Sequence, residues 1–275
     1  MATIWLNSTT SQLKTSLLKS LENDTVTGVM IDSNKEESLD TESIKSFCDM
    51  LMDRYDDGDD GFVCLALDRK IAYDTKKLVE KAKEIAGIVD KENFMIAIPA
   101  TKEGIEAIEK LSNEQLNLCA THIFSPNQAS LALSAMENLG SNLQGILAVN
   151  VASFDKLLNP SLVANRLSKD RVGFFNAIKI LNQTNLKGFS NIKVLFSDIT
   201  IHQSWLEPEY YLKQLNLHNA ILDVPQELFE EIDFDEIGEA FEFQTKHIDA
   251  FFSYLTPANI SIQATYETLL KESLS

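Results

Sequence analysis

Apolar residues recur along the chain in short runs. Eight runs read as strands: Thr3–Asn7, Thr27–Asp32, Phe62–Leu67, Phe94–Pro99, Asn117–Phe124, Gln144–Val151, Asn191–Ile199 and Asn219–Pro225. Each is apolar on both faces in places and bounded by polar or turn residues, as a parallel strand covered on two sides must be. Amphipathic stretches with helical spacing lie between them. In Asp74–Gly87, Leu78, Val79, Ala82, Ile85 and Ala86 form one stripe opposite Lys76, Lys77, Glu80, Lys81 and Glu84. Thr101–Leu111 repeats the pattern with Ile105, Ala107, Ile108 and Leu111, and Thr101 suits its N-cap. Asp170–Leu181 and Gln263–Leu274 are further predicted helices.

Strand–helix alternation implies βαβ units and a parallel sheet. Eight strands point to an α/β fold of the (β/α)₈ barrel type. Periodicity alone leaves an open doubly wound sheet as the alternative. Val63, Leu65, Ile96, Ile98 and Val149 are the branched, bulky residues expected to fill the barrel core. No linker rich in Pro, Gly or Ser divides the chain, so residues 1–275 read as one domain. From Gln226 onward no strand is predicted, and additional C-terminal helices are expected to pack across one barrel mouth.

Composition narrows the function classes. The chain has 275 residues, 44% of them hydrophobic, which suffices for a large core. Its net charge of −17 repels nucleic-acid backbones and anionic lipid, so neither is an expected partner. No apolar run approaches the ~20 residues of a membrane span. The start, Met-Ala-Thr-Ile-Trp-Leu-Asn, lacks the basic and apolar regions of a signal peptide, and the chain reads as cytoplasmic. Cys48, Cys64 and Cys119 are odd in number and far apart, which suits free thiols in a reducing compartment.

Sequence motifs for common chemistries are missing. There is no G-x-G-x-x-G, P-loop, H-E-x-x-H or G-x-S-x-G. His122, His202, His218 and His247 are not spaced as metal ligands, so neither a metal nor a cofactor is expected. Asp53–Asp60 lacks the spacing and distal Glu of an EF-hand and reads as a solvated loop. Glu230–Glu242 reads as a solvated helix face.

The informative segment begins at Lys91. It reads K-E-N-F-M-I-A-I-P-A-T-K-E-G, and after a helix L-N-L-C-A-T-H-I-F-S. This resembles transaldolase, whose corresponding strands read M-I-K-I-P-A-T-K-E-G and N-x-T-L-I-F-S. The likeness extends to Val63–Asp68 with Tyr73-Asp74-Thr75, to Val151–Pro160 (V-A-S-F-D-K-L-L-N-P) and to Leu195–Tyr211. The resemblance implies a barrel of carbohydrate metabolism and the pentose phosphate pathway. Its members move a dihydroxyacetone unit between sugar phosphates through a lysine Schiff base, with carboxylates assisting proton transfer.

The functional positions implied by the resemblance are largely changed. The Schiff-base lysine falls on Ala97, the strand-three glutamate on Ala66 and the strand-one aspartate on Asn7. The strand-five asparagine falls on Cys119, the strand-six serine on Ala148 and the V-S-R-F-D arginine on Ser153. A lysine position after strand seven falls on His202. Of the A-T-S-N-P turn only Ser33 and Asn34 persist, and Thr121 persists on strand five. Lys102 matches the family's own K-E-G lysine at the start of a helix and does not replace the lost amine. Only Lys35–Gly61 separates strands two and three, room for one helix and a loop.

Three expectations follow. The leading one is an inactive transaldolase-like barrel that binds a metabolite, a sugar-phosphate-like small molecule, or a protein partner. Its candidate pocket residues are Asp32, Ser33, Asn34, Thr121, His122, Ser125 and Ser153. The second is an aldolase or transaldolase with an altered site, with Asp32 and His122 as acid–base candidates. The third is a pure interaction scaffold using its acidic surface or C-terminal helices.

Overall fold

A computed structural model describes residues 2–22, 25–35, 38–167, 171–200, 206–234, 237–238 and 245–275. The eight apolar runs become β1 (Thr3–Ser8), β2 (Val26–Asp32), β3 (Val63–Ala66), β4 (Phe94–Pro99), β5 (Asn117–Ile123), β6 (Gly145–Asn150), β7 (Ile192–Ser197) and β8 (Ala220–Pro225). Each pairs in parallel with the next, and β8 pairs with β1, so the sheet closes into a barrel. Closure excludes the open-sheet alternative and leaves no strand edge exposed.

Helices α1 (Thr10–Glu22), α2 (Thr41–Asp56), α3 (Thr75–Val89), α4 (Lys102–Leu111), α5 (Pro126–Ala135), α6 (Ser153–Ala164), α7 (Val172–Gln183) and α8 (Tyr210–Leu215) connect the strands. The caps are local and readable. Asp74 accepts from the Lys77 amide at the start of α3, and Thr101 accepts from the Gly104 amide at 2.9 Å at the start of α4. The predicted helix at Asp170–Leu181 is α7, and Asp170 itself lies outside the described residues.

The strands sort their side chains differently from expectation. Val63, Leu65, Ile96, Ile98 and Val149 face outward and pack with helix residues such as Ile85, Ile108 and Leu111. The barrel interior is instead filled by Trp5, Met30, Cys64, Met95, Cys119, Ile146, Leu195 and Ile221, with Ala97 and Ala148. A parallel strand is apolar on both faces, so alternation alone does not reveal which set points inward.

The base of the barrel is closed by a polar plug. Asp60 accepts from Thr3 Oγ1 at 2.8 Å, Thr27 Oγ1 at 3.1 Å, Trp5 Nε1 at 3.4 Å and Lys193 Nζ at 2.6 Å. The acidic stretch is therefore not the solvated loop expected, and its first half, Asp53–Asp56, is the last turn of α2. Asp53, Asp56, Asp57 and Asp59 are exposed, but Asp60 is buried and satisfied by four donors.

Beyond β8, α9 (Gln226–Glu231) packs on β1 and β8, and α10 (Thr245–Ser253) packs on α7. The Glu230–Glu242 segment is not the expected solvated helix face: the helix ends at Glu231, Ile232 and Phe234 pack on the core and Ile237 is buried in it, while residues 235–236 and 239–242 lie outside the described residues. Helix α11 (Ile262–Ser273) packs on α6 and β5, with Tyr266 and Leu269 against Phe124 and Phe154. Among the described residues of these helices, Ser273 of α11 lines the mouth. Among the described residues no helix is long and apolar enough to cross a membrane.

Gly28 shows how tightly the interior is filled. A Cβ there would lie 2.6 Å from the fully buried Trp5 indole. Gly28→Ala is expected to lower unfolding free energy by about 1–3 kcal/mol, measured by urea denaturation. Unchanged stability would show that the Trp5 layer yields.

Candidate functional site

The C-terminal ends of the strands surround a cavity of about 400 Å³. That is the end at which this architecture places its sites. Ala66, Ala97 and Ala148 line it from β3, β4 and β6, and Ala66 and Ala97 are register partners. Small side chains at this level leave the space open. Ala97, where the resemblance implies a lysine, is 0% exposed and has only a methyl group to offer. Lys102 begins α4 and does not line the cavity, whereas Lys35 does.

One wall is a hydrogen-bonded ion pair. Asp32 Oδ2 accepts from Arg69 NH2 at 3.1 Å, and Asp32 Oδ1 accepts from Asn34 Nδ2 at 2.8 Å. Asn34 Oδ1 in turn accepts from the Arg69 amide at 2.8 Å. Both Asp32 oxygens are engaged, so the side chain is held rather than poised for proton transfer. Ser33 sits between them with its Oγ buried and without a partner among the described residues, and it does not line the cavity.

Thr121 and His122 both line the cavity although they are consecutive. Regular alternation would send one of them outward. The β5–β6 register slips between Ala120 and Ile123, and His122 has a φ of 57°. This bulge aims both side chains at the mouth. His122 Nδ1 lies 3.0 Å from Thr121 Oγ1. Burial, reinforced by the Arg69 charge and opposed by Asp32, lowers its pKa to about 4, so the ring is neutral near pH 7.

On the far wall Asn7 Nδ2 donates to Asp223 Oδ2 at 2.8 Å. Asp223 Oδ1 is buried without a partner among the described residues, and so is Asn150 Oδ1. Both residues line the cavity. Ser153 lies outside the lining and donates through its amide, at 2.7 Å, and its hydroxyl to Asp198 Oδ2. Ser125 also lies outside it and forms the capping box of α5 with Gln128. His202 lies outside the described residues.

The cavity therefore gathers Asp32, Asn34, Thr121 and His122 with Asn7, Ala66 and Ala97. Sequence reasoning did not select Arg69, Asn150, Asp198 or Asp223. Asp223 alone carried a usable signal, a single acid inside the apolar run A-I-L-D-V-P. A wider groove of about 630 Å³ lies at the opposite end of the barrel. Its Lys83 and Lys91 are already paired with Glu114 and Asp49, so it presents less unmet polar chemistry. Among the described residues no three His, Cys, Asp or Glu side chains group to hold a metal ion.

Burial pushes the Asp223 carboxyl up to about 7, against the Asn7 hydrogen bond and the Lys35 charge and with help from Asp32 and Asp198. The folded chain then holds a proton that the unfolded chain, with a value near 3.8, releases. This contribution to stability is fully present below pH 3.8 and is lost as pH rises toward 7. Asp223→Asn should gain stability relative to the unsubstituted protein between about pH 4 and pH 7. The difference between their urea unfolding curves measures this, because His122 is common to both and cancels. A pH-independent difference would contradict the burial account.

The chain matches the family model described as Transaldolase/Fructose-6-phosphate aldolase over residues 3–275. It is similar to a transaldolase of Helicobacter pylori (strain Shi470), 29% identical over 245 residues that cover 86% of this chain and 75% of that protein. It is also similar to a transaldolase of Campylobacter jejuni subsp. jejuni (serotype O:6, strain 81116 / NCTC 11828). That match is 28% identical over 230 residues, 76% of this chain and 69% of that protein. The closed barrel and the runs on β4 and β5 agree with these matches, and the chain belongs to the transaldolase/fructose-6-phosphate aldolase family.

Proposed function

We propose that this chain is a catalytically inactive member of its family that binds a small polar metabolite in the barrel mouth. The observation that carries the reading is Ala97 on the wall of the open cavity, in register with Ala66. An imine needs a primary amine held at the carbonyl carbon, and a methyl group supplies none. The carboxylates implied for β1 and β3 are likewise Asn7 and Ala66. What remains is a cavity with polar walls, suited to binding without covalent chemistry.

Lys35 favours a second reading, an aldolase-type enzyme with a displaced amine. It lines the cavity from the turn after β2, where its charge acts on Asp223. Its exposure argues against it as the nucleophile, because covalent catalysis needs an amine fixed in place and shielded from water. A purely protein-binding role leaves the partnerless oxygens in the mouth unexplained. The reading places the protein in a reducing cytoplasm, supported by the three buried free thiols.

The test is incubation with fructose 6-phosphate and borohydride, followed by intact mass. The mass should be unchanged. A stoichiometric reduced adduct would overturn the inactive reading, and its location on Lys35 would establish the displaced amine.

A further inference from the structure

The mouth holds two buried oxygens, each on a different strand, that no described residue satisfies. Asp223 on β8 is only 4% exposed, and Asn7 engages its Oδ2 while Oδ1 is left over. On β6, two strands away around the barrel, Asn150 Oδ1 is left over as well. Buried oxygens without donors are rare in folded proteins, and two lining one cavity call for a common partner.

Their chemistry restricts that partner. A carboxylate oxygen and an amide oxygen are acceptors, so the missing groups are donors. A phosphate ester near neutral pH brings mostly acceptors and negative charge. The described lining carries three carboxyl groups, Asp32, Asp198 and Asp223, against two cations, Lys35 and Arg69. Arg69 is bonded to Asp32 through one terminal nitrogen at 3.1 Å, and its buried Nε has no partner among the described residues, so the partner sought must also offer one acceptor, as a hydroxyl oxygen does. Ser153, where the resemblance implies an arginine, adds no cation and is bonded to Asp198.

We propose that the barrel mouth binds an uncharged polyhydroxylated molecule, with hydroxyl groups donating to Asp223 Oδ1 and Asn150 Oδ1. The partly exposed methyl group of Ala66 receives its carbon skeleton, with the buried Ala97 and Ala148 behind the cavity wall. A hydroxyl suits Asp223 in either protonation state, since it donates to a carboxylate and accepts from a carboxylic acid. This deepens the reading of the mouth as a non-covalent binding site and rests on it. It makes Asn7 a positioning residue, whose amide holds the Asp223 carboxyl on the neighbouring strand.

The experiment is ligand-observed NMR on the full chain with ribitol, glucitol, fructose and myo-inositol, in competition with inorganic phosphate and fructose 6-phosphate. At least one neutral polyol should bind, and phosphate should not displace it. Asp223→Leu and Asn150→Leu should each weaken that binding at least tenfold. Asp223→Leu removes a buried acid for a side chain of similar size, and thermal unfolding checks that each variant is folded. Should one variant not fold, the other carries the comparison. Polyol binding unchanged in a folded variant would overturn the proposal. So would binding of fructose 6-phosphate alone, which would leave the non-covalent reading standing. Binding of no probe would show that solvent satisfies both oxygens and would overturn the proposal together with its parent reading. A borohydride-trapped adduct would remove the parent reading separately.

Discussion

Closure of the parallel sheet is the constraint on which the rest of the molecule depends. Eight strands hydrogen-bond in a ring, so each has one face toward the helices and one toward the axis. The outward set joins the large core shared with the helices, and the inward set forms a separate cluster around the axis. The axis must then be filled level by level. Trp5 and the Asp60 plug fill the base, Cys64, Met95, Cys119, Ile146 and Leu195 fill the middle, and three alanines leave the mouth open. The cavity is a consequence of small residues at one level of an otherwise packed axis.

That arrangement is compatible with the proposed loss of the family's chemistry. Most of the packing that holds the barrel closed lies below the mouth, and of the mouth's lining Met30, Ala97 and Ala148 share in the axial cluster. A buried ammonium and carboxylates cost desolvation energy wherever they are kept for function, and alanine removes that cost. The mouth is nevertheless not apolar. An acid stands on β8, its carboxyl pushed up to about 7 by burial and braced by the asparagine that replaces the expected β1 acid. A site shedding polarity altogether would not retain it.

Much of the architecture was readable from the chain because strand and helix periods differ. Every predicted strand was found within two residues at each end. The failures have physical causes. Val63, Leu65, Ile96, Ile98 and Val149 were assigned to the wrong face because a strand buried on both sides looks alike from either. Asp60 looked solvated because its four donors come from β1, β2 and β7, distant in sequence. Asp32 looked like a free acid, and its Arg69 partner lies 37 positions along the chain. His122 was singled out by type, yet its aim depends on a bulge that no local signal announced. Ser125 and Ser153 were chosen for their hydroxyls, which a helix cap and Asp198 claim instead.

Family membership and the proposed loss of the family's amine rest on different observations. The first rests on the barrel and on matches spanning residues 3–275. The second rests on Ala97, Ala66 and Asn7 at the mouth. Oxygen exchange tests the second most directly. Imine formation at a ketone expels the carbonyl oxygen as water, and hydrolysis returns an oxygen from solvent. Incubated with fructose 6-phosphate in ¹⁸O-enriched water, the protein should leave exchange at the C2 carbonyl at the rate of buffer alone. Exchange accelerated by the protein and abolished by Lys35→Arg would show that an amine in the mouth still attacks the ketone, and would contradict the account.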